Sequence, residues 1–283
     1  MSNHIHIDSL LPTEMAQKAE DLGLKKANLD FWTLFALSVL AGAFIGLGAV
    51  FATTVSTGGG ELPYGVNRLI TGVAFCLGLI LVIVGGAELF TGNTLIIMGF
   101  MSGKVPFRGL IRNWGIVYLG NFVGSVLTAI GMFLSKQYTF ANGGVGLNIL
   151  NIAESKSGLD FFQAIVLGVI CNALVCLAVW LSFSAGTTTD KILAILFPVT
   201  AFVAAGTEHS VANMYFIPIG LMVKNFGGAT FFEKIGKTAL DFPNLTLGNF
   251  FMDNLLPVTI GNIIGGAFMV GLIYWFVYLR KKH

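Results

Sequence analysis

The sequence predicts an all-α integral membrane protein of six spans. They form two inverted halves of three, and the second and fifth spans are broken. Three observations carry this. Of the 283 residues, 55% are hydrophobic and 11% are charged, whereas soluble domains carry about 25% charged residues. Six apolar runs follow a polar start, at about 31–57, 69–100, 113–134, 161–184, 192–223 and 254–279. Polar residues recur between the halves at constant offsets. The chain divides into an N-terminal amphipathic segment (1–30), a transmembrane domain (31–279) and a basic tail (280–283).

In the first segment Met15, Ala16, Ala19 and Leu22 recur at helical spacing after Pro12, among Glu14, Gln17, Lys18, Glu20 and Asp21. That pattern predicts a short helix lying on the membrane surface or on the protein. The first 30 residues contain no apolar h-region, so membrane targeting is expected to rest on the first span. The termini and the second and fourth links hold Lys18, Lys25, Lys26, Lys104, Arg108, Arg112, Lys191, Arg280, Lys281 and Lys282. The other side holds Arg68, Lys136, Lys156, Lys224, Lys234 and Lys237. The richer side is expected to be cytoplasmic, with both termini there and the links 135–160 and 224–253 facing outward. A net charge of +2 gives no reason to expect nucleic acid.

A bilayer core about 30 Å thick needs only about 20 helical residues, so the second and fifth runs are too long for single straight spans. Each holds a polar block near its middle. The fifth reads Gly206-Thr207-Glu208-His209-Ser210-Val211-Ala212-Asn213, and the second reads Gly85-Gly86-Ala87-Glu88-Leu89-Phe90-Thr91-Gly92-Asn93-Thr94. Both contain Glu-x4-Asn. The third and sixth runs correspond through Asn113, Val117, Gly120, Asn121 and Gly124 against Asn254, Val258, Gly261, Asn262 and Gly265. Three spans per half make the repeat inverted, an arrangement that places substrate sites at the midplane on broken helices.

His209 is the one histidine away from the termini. In a soluble core it would read as an imidazole satisfied by a neighbour. At bilayer depth an ionisable residue marks a pathway, so His209 and the hydroxyl of Thr91 are the expected centre of one. Adjacent helical residues do not share a face, so Glu208 is expected to support the break. Glu88, Asn93 and Asn213 read the same way, the glutamates accepting freed backbone N–H groups. Asn121 and Asn262 are expected to brace the broken helices or touch the pathway. Gly120/Gly124 and Gly261/Gly265 read as close helix contacts. Leu89 and Phe90 offer bulk for a constriction, Asn172 is a mid-span polar residue, and Lys156 is placed to draw anions. The cysteines Cys76, Cys171 and Cys176 read as small buried hydrophobes. No metal-ligand or cofactor-binding pattern stands out. An enzyme would need a nucleophile paired with His209, and Ser210 is badly placed for that.

Several longer motifs point further. They are Asp8-Ser9-Leu10-Leu11-Pro12, Gly78-Leu79-Ile80-Leu81, Ala87-Glu88-Leu89-Phe90-Thr91, Arg112-Asn113-Trp114, the stretch Cys171-Asn172-Ala173-Leu174-Val175-Cys176 with Leu177-Ala178-Val179-Trp180, Glu208-His209-Ser210-Val211-Ala212-Asn213-Met214, and Asn254-Leu255-Leu256-Pro257-Val258-Thr259-Ile260-Gly261-Asn262. In these the chain resembles the formate/nitrite transporter family, its bacterial formate-channel branch above all. The resemblance implies an aquaporin-like protomer in a homopentamer of the bacterial inner membrane, with one pore per protomer for formate or a similar small anion. It implies a central site of His209 and Thr91. It implies a cytoplasmic constriction of Leu79, Leu89 and Phe90, and a periplasmic one of Phe75, Val175 and Phe202. Lys156 and Asn172 would tune the histidine or the incoming anion, and a cytosolic formate-producing enzyme would dock on residues 1–30. Gly92-Asn93 departs from the branch's pattern of small or hydroxyl residues. The alternatives left open are a nitrite or hydrosulfide channel and a proton-coupled secondary transporter.

Overall fold

The computed structural model describes residues 9–280. Expectations about residues 1–8, where the first motif begins, and about Lys281 and Lys282 in the basic tail lie outside the described residues. The described residues are helical, with no strand among them. Five helices among them are long and apolar enough to cross a membrane.

Helix α1 (Pro12–Ala27) starts with proline in the first turn, where no helical N–H is lost, and the Glu14 carboxylate accepts the Leu11 N–H at 2.7 Å. Its buried stripe is Met15, Ala16, Ala19, Gly23 and Ala27, packed among Ile96, Met98 and Val105. It therefore lies on the protein. Lys104 pairs with Glu20 and Asp21 of α1. Glu20 holds the Lys104 ammonium above its ordinary value. A raised lysine contributes fully at neutral pH, and that contribution is lost only as pH climbs through the raised value.

Helix α2 (Phe31–Ser56) begins at Asp30, whose carboxylate accepts the Thr33 N–H. The second apolar run is α3 (Tyr64–Gly85) and, after a turn at 86–89, α4 (Phe90–Met101). Helix α5 (Phe107–Leu134) is the third run. The link after the third run contains a helix the sequence reading did not foresee, α6 (Gly144–Ser157). Helix α7 (Phe161–Ser184) begins at Asp160, which caps Phe162 and Gln163 as Asp30 caps α2. The fifth run is α8 (Thr188–Ala204) and α9 (Ser210–Phe226). A short α10 (Ala229–Ile235) precedes α11 (Leu247–Tyr278). Phe250–Leu255 and Ile264–Leu272 within α11 have π geometry.

Both turns begin with a left-handed glycine, Gly86 at φ 79° and Gly206 at φ 73°. That conformation costs other L-residues about 1 kcal/mol. The small residues of the third and sixth runs do as expected. A Cβ on Gly124 would collide with the Val39 carbonyl, and one on Gly265 with the Val169 carbonyl. These contacts bring α2 onto α5 and α7 onto α11 at backbone distance.

Candidate functional site

Two cavities approach the centre from opposite ends of α2. One, about 260 Å³, is lined by Gly23 and Lys26 of α1, by Leu79 and Val82, and by Glu88 and Leu89 of the first turn. The other, about 340 Å³, is lined by Thr53 at the far end of α2, by Arg68, Phe75, Lys156 and Phe202, and by His209.

The two cavities have closely similar polar frames, differing in that Asn93 Oδ1 accepts from a lysine and Asn213 Oδ1, among the described residues, does not. On the α1 side, Lys26 Nζ lies 3.1 Å from Glu88 Oε1 and donates to Asn93 Oδ1 at 2.9 Å. Asn93 Nδ2 donates to Glu88 Oε2 at 2.7 Å and to Asn113 Oδ1 at 3.0 Å. Asn113 Nδ2 closes the ring on the Lys26 carbonyl at 3.0 Å. On the α6 side, Lys156 Nζ donates to Glu208 Oε1 at 2.8 Å. Asn213 Nδ2 donates to Glu208 Oε2 at 2.6 Å and to Asn254 Oδ1 at 2.7 Å. Asn254 Nδ2 reaches the Lys156 carbonyl at 2.9 Å.

The freed backbone groups are satisfied by asparagines rather than by the glutamates, which corrects the sequence reading. Phe90 N–H, the first of α4, donates to Asn121 Oδ1 at 2.8 Å. Asn121 Nδ2 donates to the carbonyls of Ser38 at 2.7 Å and Glu88 at 2.9 Å. Ser210 N–H donates to Asn262 Oδ1 at 2.9 Å. Asn262 Nδ2 donates to the carbonyls of Gly168 at 2.9 Å and Glu208 at 3.0 Å. The reason is chemical: an amide both donates and accepts, so one Asn closes an N–H and two carbonyls, while a carboxylate only accepts.

The symmetry fails at the centre. His209 Nε2 and Thr91 Oγ1 are 2.9 Å apart, both buried. His209 is the N-cap of α9, its Nδ1 accepting the Ala212 N–H at 3.1 Å. A neutral imidazole accepting at Nδ1 carries its proton on Nε2, so Nε2–H donates to Thr91. The residues equivalent to His209 and Thr91 in the other half are Leu89 and Val211, so no second such pair forms. Asn172 Nδ2 fixes the start of α4 through the Thr91 carbonyl and Thr94 Oγ1, each at 3.2 Å, and reaches the Asn262 carbonyl at 2.6 Å.

The expected constriction residues divide. Phe75 and Phe202 line the α6-side cavity, ring centroids 5.7 Å apart and edge-on, and Phe202 lies 6.0 Å from the imidazole, nearly parallel to it. Leu79 and Leu89 line the α1-side cavity. Phe90 lines neither, packing against Trp114 at 6.2 Å and Tyr118 at 4.9 Å. Val175 is buried and also lines neither.

Sequence reasoning missed Lys26, counted only as a cytoplasmic charge, and it used Asn113 and Asn254 only as repeat markers. A signal was present. Lys26 and Lys156 stand at the same distance before Asp30-Phe31 and Asp160-Phe161. The repeat therefore begins at α1 and α6.

Lys156→Met would leave the Glu208 carboxylate buried without its cation. A broken buried pair costs about 3–5 kcal/mol, so the purified protein should melt well below wild type. Adding Glu208→Gln should recover most of the loss. Unchanged melting of the single variant would deny the pair a structural role.

Residues 13–276 match the family model described as "Formate/nitrite transporter". The chain is 46% identical over 275 residues to "Formate channel FocA" of Escherichia coli K12, covering 97% of this chain and 96% of that protein. It is 42% identical over 275 residues to the protein of the same name from Haemophilus influenzae, with the same coverage of both chains. The solved structure "Pentameric formate channel with formate bound" superposes with a TM-score of 0.84 at 43% identity, over 88% of this chain and 98% of that one. "FNT family ion channel" superposes with a TM-score of 0.79 at 30% identity, over 94% and 99%. These are transport proteins, with a fold and sequence shared along nearly the whole chain. The chain is a membrane protein and belongs to the formate/nitrite transporter family.

Proposed function

We propose that the chain is a formate channel, assembled as a homopentamer in a bacterial inner membrane with both termini cytoplasmic. The observation that carries the reading is the His209–Thr91 pair, buried between two cavities that each hold a Lys–Glu pair. The names of the relatives and the pentameric solved structure support the substrate and the assembly. Six spans in two inverted halves are supported by the matching hydrogen-bond frames, with α3 plus α4 and α8 plus α9 as the broken second and fifth spans. The excess of Lys and Arg on the α1 side supports a cytoplasmic α1-side cavity and a periplasmic α6-side one. The polar stripe Thr13, Glu14, Gln17, Lys18, Asp21 and Lys25 of α1 is exposed. It is the proposed dock for a cytosolic formate-producing enzyme.

The mechanism follows from desolvation. A bare anion between apolar walls is expensive, and Phe75 with Phe202 on one side and Leu79 with Leu89 on the other are such walls. An anion reaching the centre takes the Nε2–H of His209 in place of Thr91, whose hydroxyl then also donates to it. A charge-assisted hydrogen bond is roughly twice as strong as a neutral one. For a proton to be transferred as well, Nδ1 must first leave the Ala212 N–H and take up a proton. The imidazolium, not the neutral ring, then gives its Nε2 proton to the anion, and the neutral acid passes the next wall more cheaply. The ring has then taken up one proton and given one away, and the acid releases that proton on the far side, so His209 is neutral again at the end of the cycle. Lys156 and Lys26 face the two approaches in ion pairs with Glu208 and Glu88, and Asn172 holds Thr91 in place.

The test is flux into proteoliposomes with formate, nitrite and hydrosulfide in competition across pH. Formate should dominate, and flux should be pH-dependent. Preference for nitrite or hydrosulfide would move the chain to a sister channel, and flux strictly stoichiometric with protons would make it a coupled transporter.

A further inference from the structure

The Lys–Glu–Asn–Asn frames of the two vestibules correspond residue for residue, but the formal charges lining them differ by one. The charged groups lining the α1-side cavity are Lys26 and Glu88, which pair with each other. Those lining the α6-side cavity are Lys156 and Glu208, which also pair, and Arg68. Among the described residues no carboxylate lies within salt-bridge distance of Arg68. Its guanidinium instead donates from Nε to the Ala204 carbonyl at 3.1 Å and from Nη2 to the Val203 carbonyl. These are the last carbonyls of α8, where a helix presents about half a negative charge. The turn that follows carries His209. The equivalent end of α3 at the other vestibule receives no side-chain donor among the described residues, and the residue equivalent to Arg68 is Thr188. Arg68 also stands two turns from Phe75 on α3, so both point to one face. The carbonyl it holds belongs to the residue after Phe202.

We propose that Arg68 is the anion-selecting group of the outer vestibule. It covers the negative end of α8, which would otherwise repel an incoming anion, and it leaves that vestibule with a net positive charge while the inner one is neutral. Capture of formate is therefore stronger from the outer face than from the inner face, although the central site is shared. This rests on the anion-passage reading above, and wild-type flux separates the two: a wild type that passes no formate sinks that reading, not this one.

The experiment compares wild type, Arg68→Gln and Arg68→Lys in right-side-out and inside-out membrane vesicles, reading initial uptake of labelled formate below saturation. Arg68→Gln should lose on the order of three- to tenfold at low ionic strength from the outer face, and little from the inner face. The outer-face loss should shrink near 1 M salt, where the screening length falls to about 3 Å, and Arg68→Lys should keep most of the uptake. Uptake by Arg68→Gln equal to wild type at the outer face would overturn the proposal. So would a loss equal at both faces, insensitive to salt and not rescued by lysine, which would make Arg68 a structural clamp on α8.

Discussion

Replacing His209 with Asn should leave a folded, assembled protein whose formate flux no longer follows the pH dependence of wild type. The fold should survive because the His209 side chain caps α9 through the Ala212 N–H. Asn is among the best N-caps, and its Oδ1 can accept the same bond. What the substitution removes is the proton that Nε2 presents at Thr91. An amide can still donate a hydrogen bond to an anion there, so flux should fall without vanishing. It cannot take up and pass on a proton as an imidazole can. Flux through the variant measured in proteoliposomes at a series of pH values decides the matter. A pH profile that follows wild type would remove His209 from proton transfer and leave it as a cap and a hydrogen-bond donor.

Asn262→Leu should be the most damaging single change to the fold outside the charged pairs. One amide closes the Ser210 N–H, the Gly168 carbonyl and the Glu208 carbonyl, and Asn262 is fully buried. Leucine keeps the branched shape but has no polar atom and is larger, so the polar contacts are lost and some crowding is added. Each buried backbone group left unpaired costs about 1–3 kcal/mol, so three of them should cost about 3–9 kcal/mol. The turn at 205–209 would lose the amide that ties it to α11, keeping only the Glu208 N–H bond to the Leu167 carbonyl of α7, and His209 would lose its register against Thr91. The melting temperature of the purified protein should drop sharply and flux should fall with it. Asn262→Ser, which keeps an acceptor at this position, should be intermediate. Melting of Asn262→Leu within a degree or so of wild type would mean that the break is held by other contacts. Asn121→Leu should behave in parallel at the first break.

Much of this protein was legible because a bilayer constrains what can be buried in it. With no water to satisfy backbone groups at depth, a glycine-rich polar block inside an apolar run signals a turn in a helix. Glu88 to Asn93 and Glu208 to Asn213 stood out for that reason. Pairing was not legible. Glutamate at a helix break suggests a backbone acceptor, and only the positions of Asn121 and Asn262 show that amides fill that role. Phe90 read as a constriction residue through its place beside Thr91, but the turn of α4 sends its ring towards Trp114 and Tyr118. Lys26 was invisible because its helix precedes the first span. A charge next to a membrane segment ordinarily reads as a topology marker.

The sequence by itself determined the class, the run lengths, the internal repeat and the singular histidine, since each is a property of order and composition. The tertiary structure decided who meets whom. Two turns far apart in the chain must close on each other before His209 can donate to Thr91, and α1 and α6 must fold back before Lys26 and Lys156 reach their glutamates. Those partners are set by the packing of α2 on α5 and α7 on α11 at glycine distance. Packing geometry is a long-range outcome that no local pattern encodes. The same packing places one guanidinium, Arg68, at only one of the two cavities.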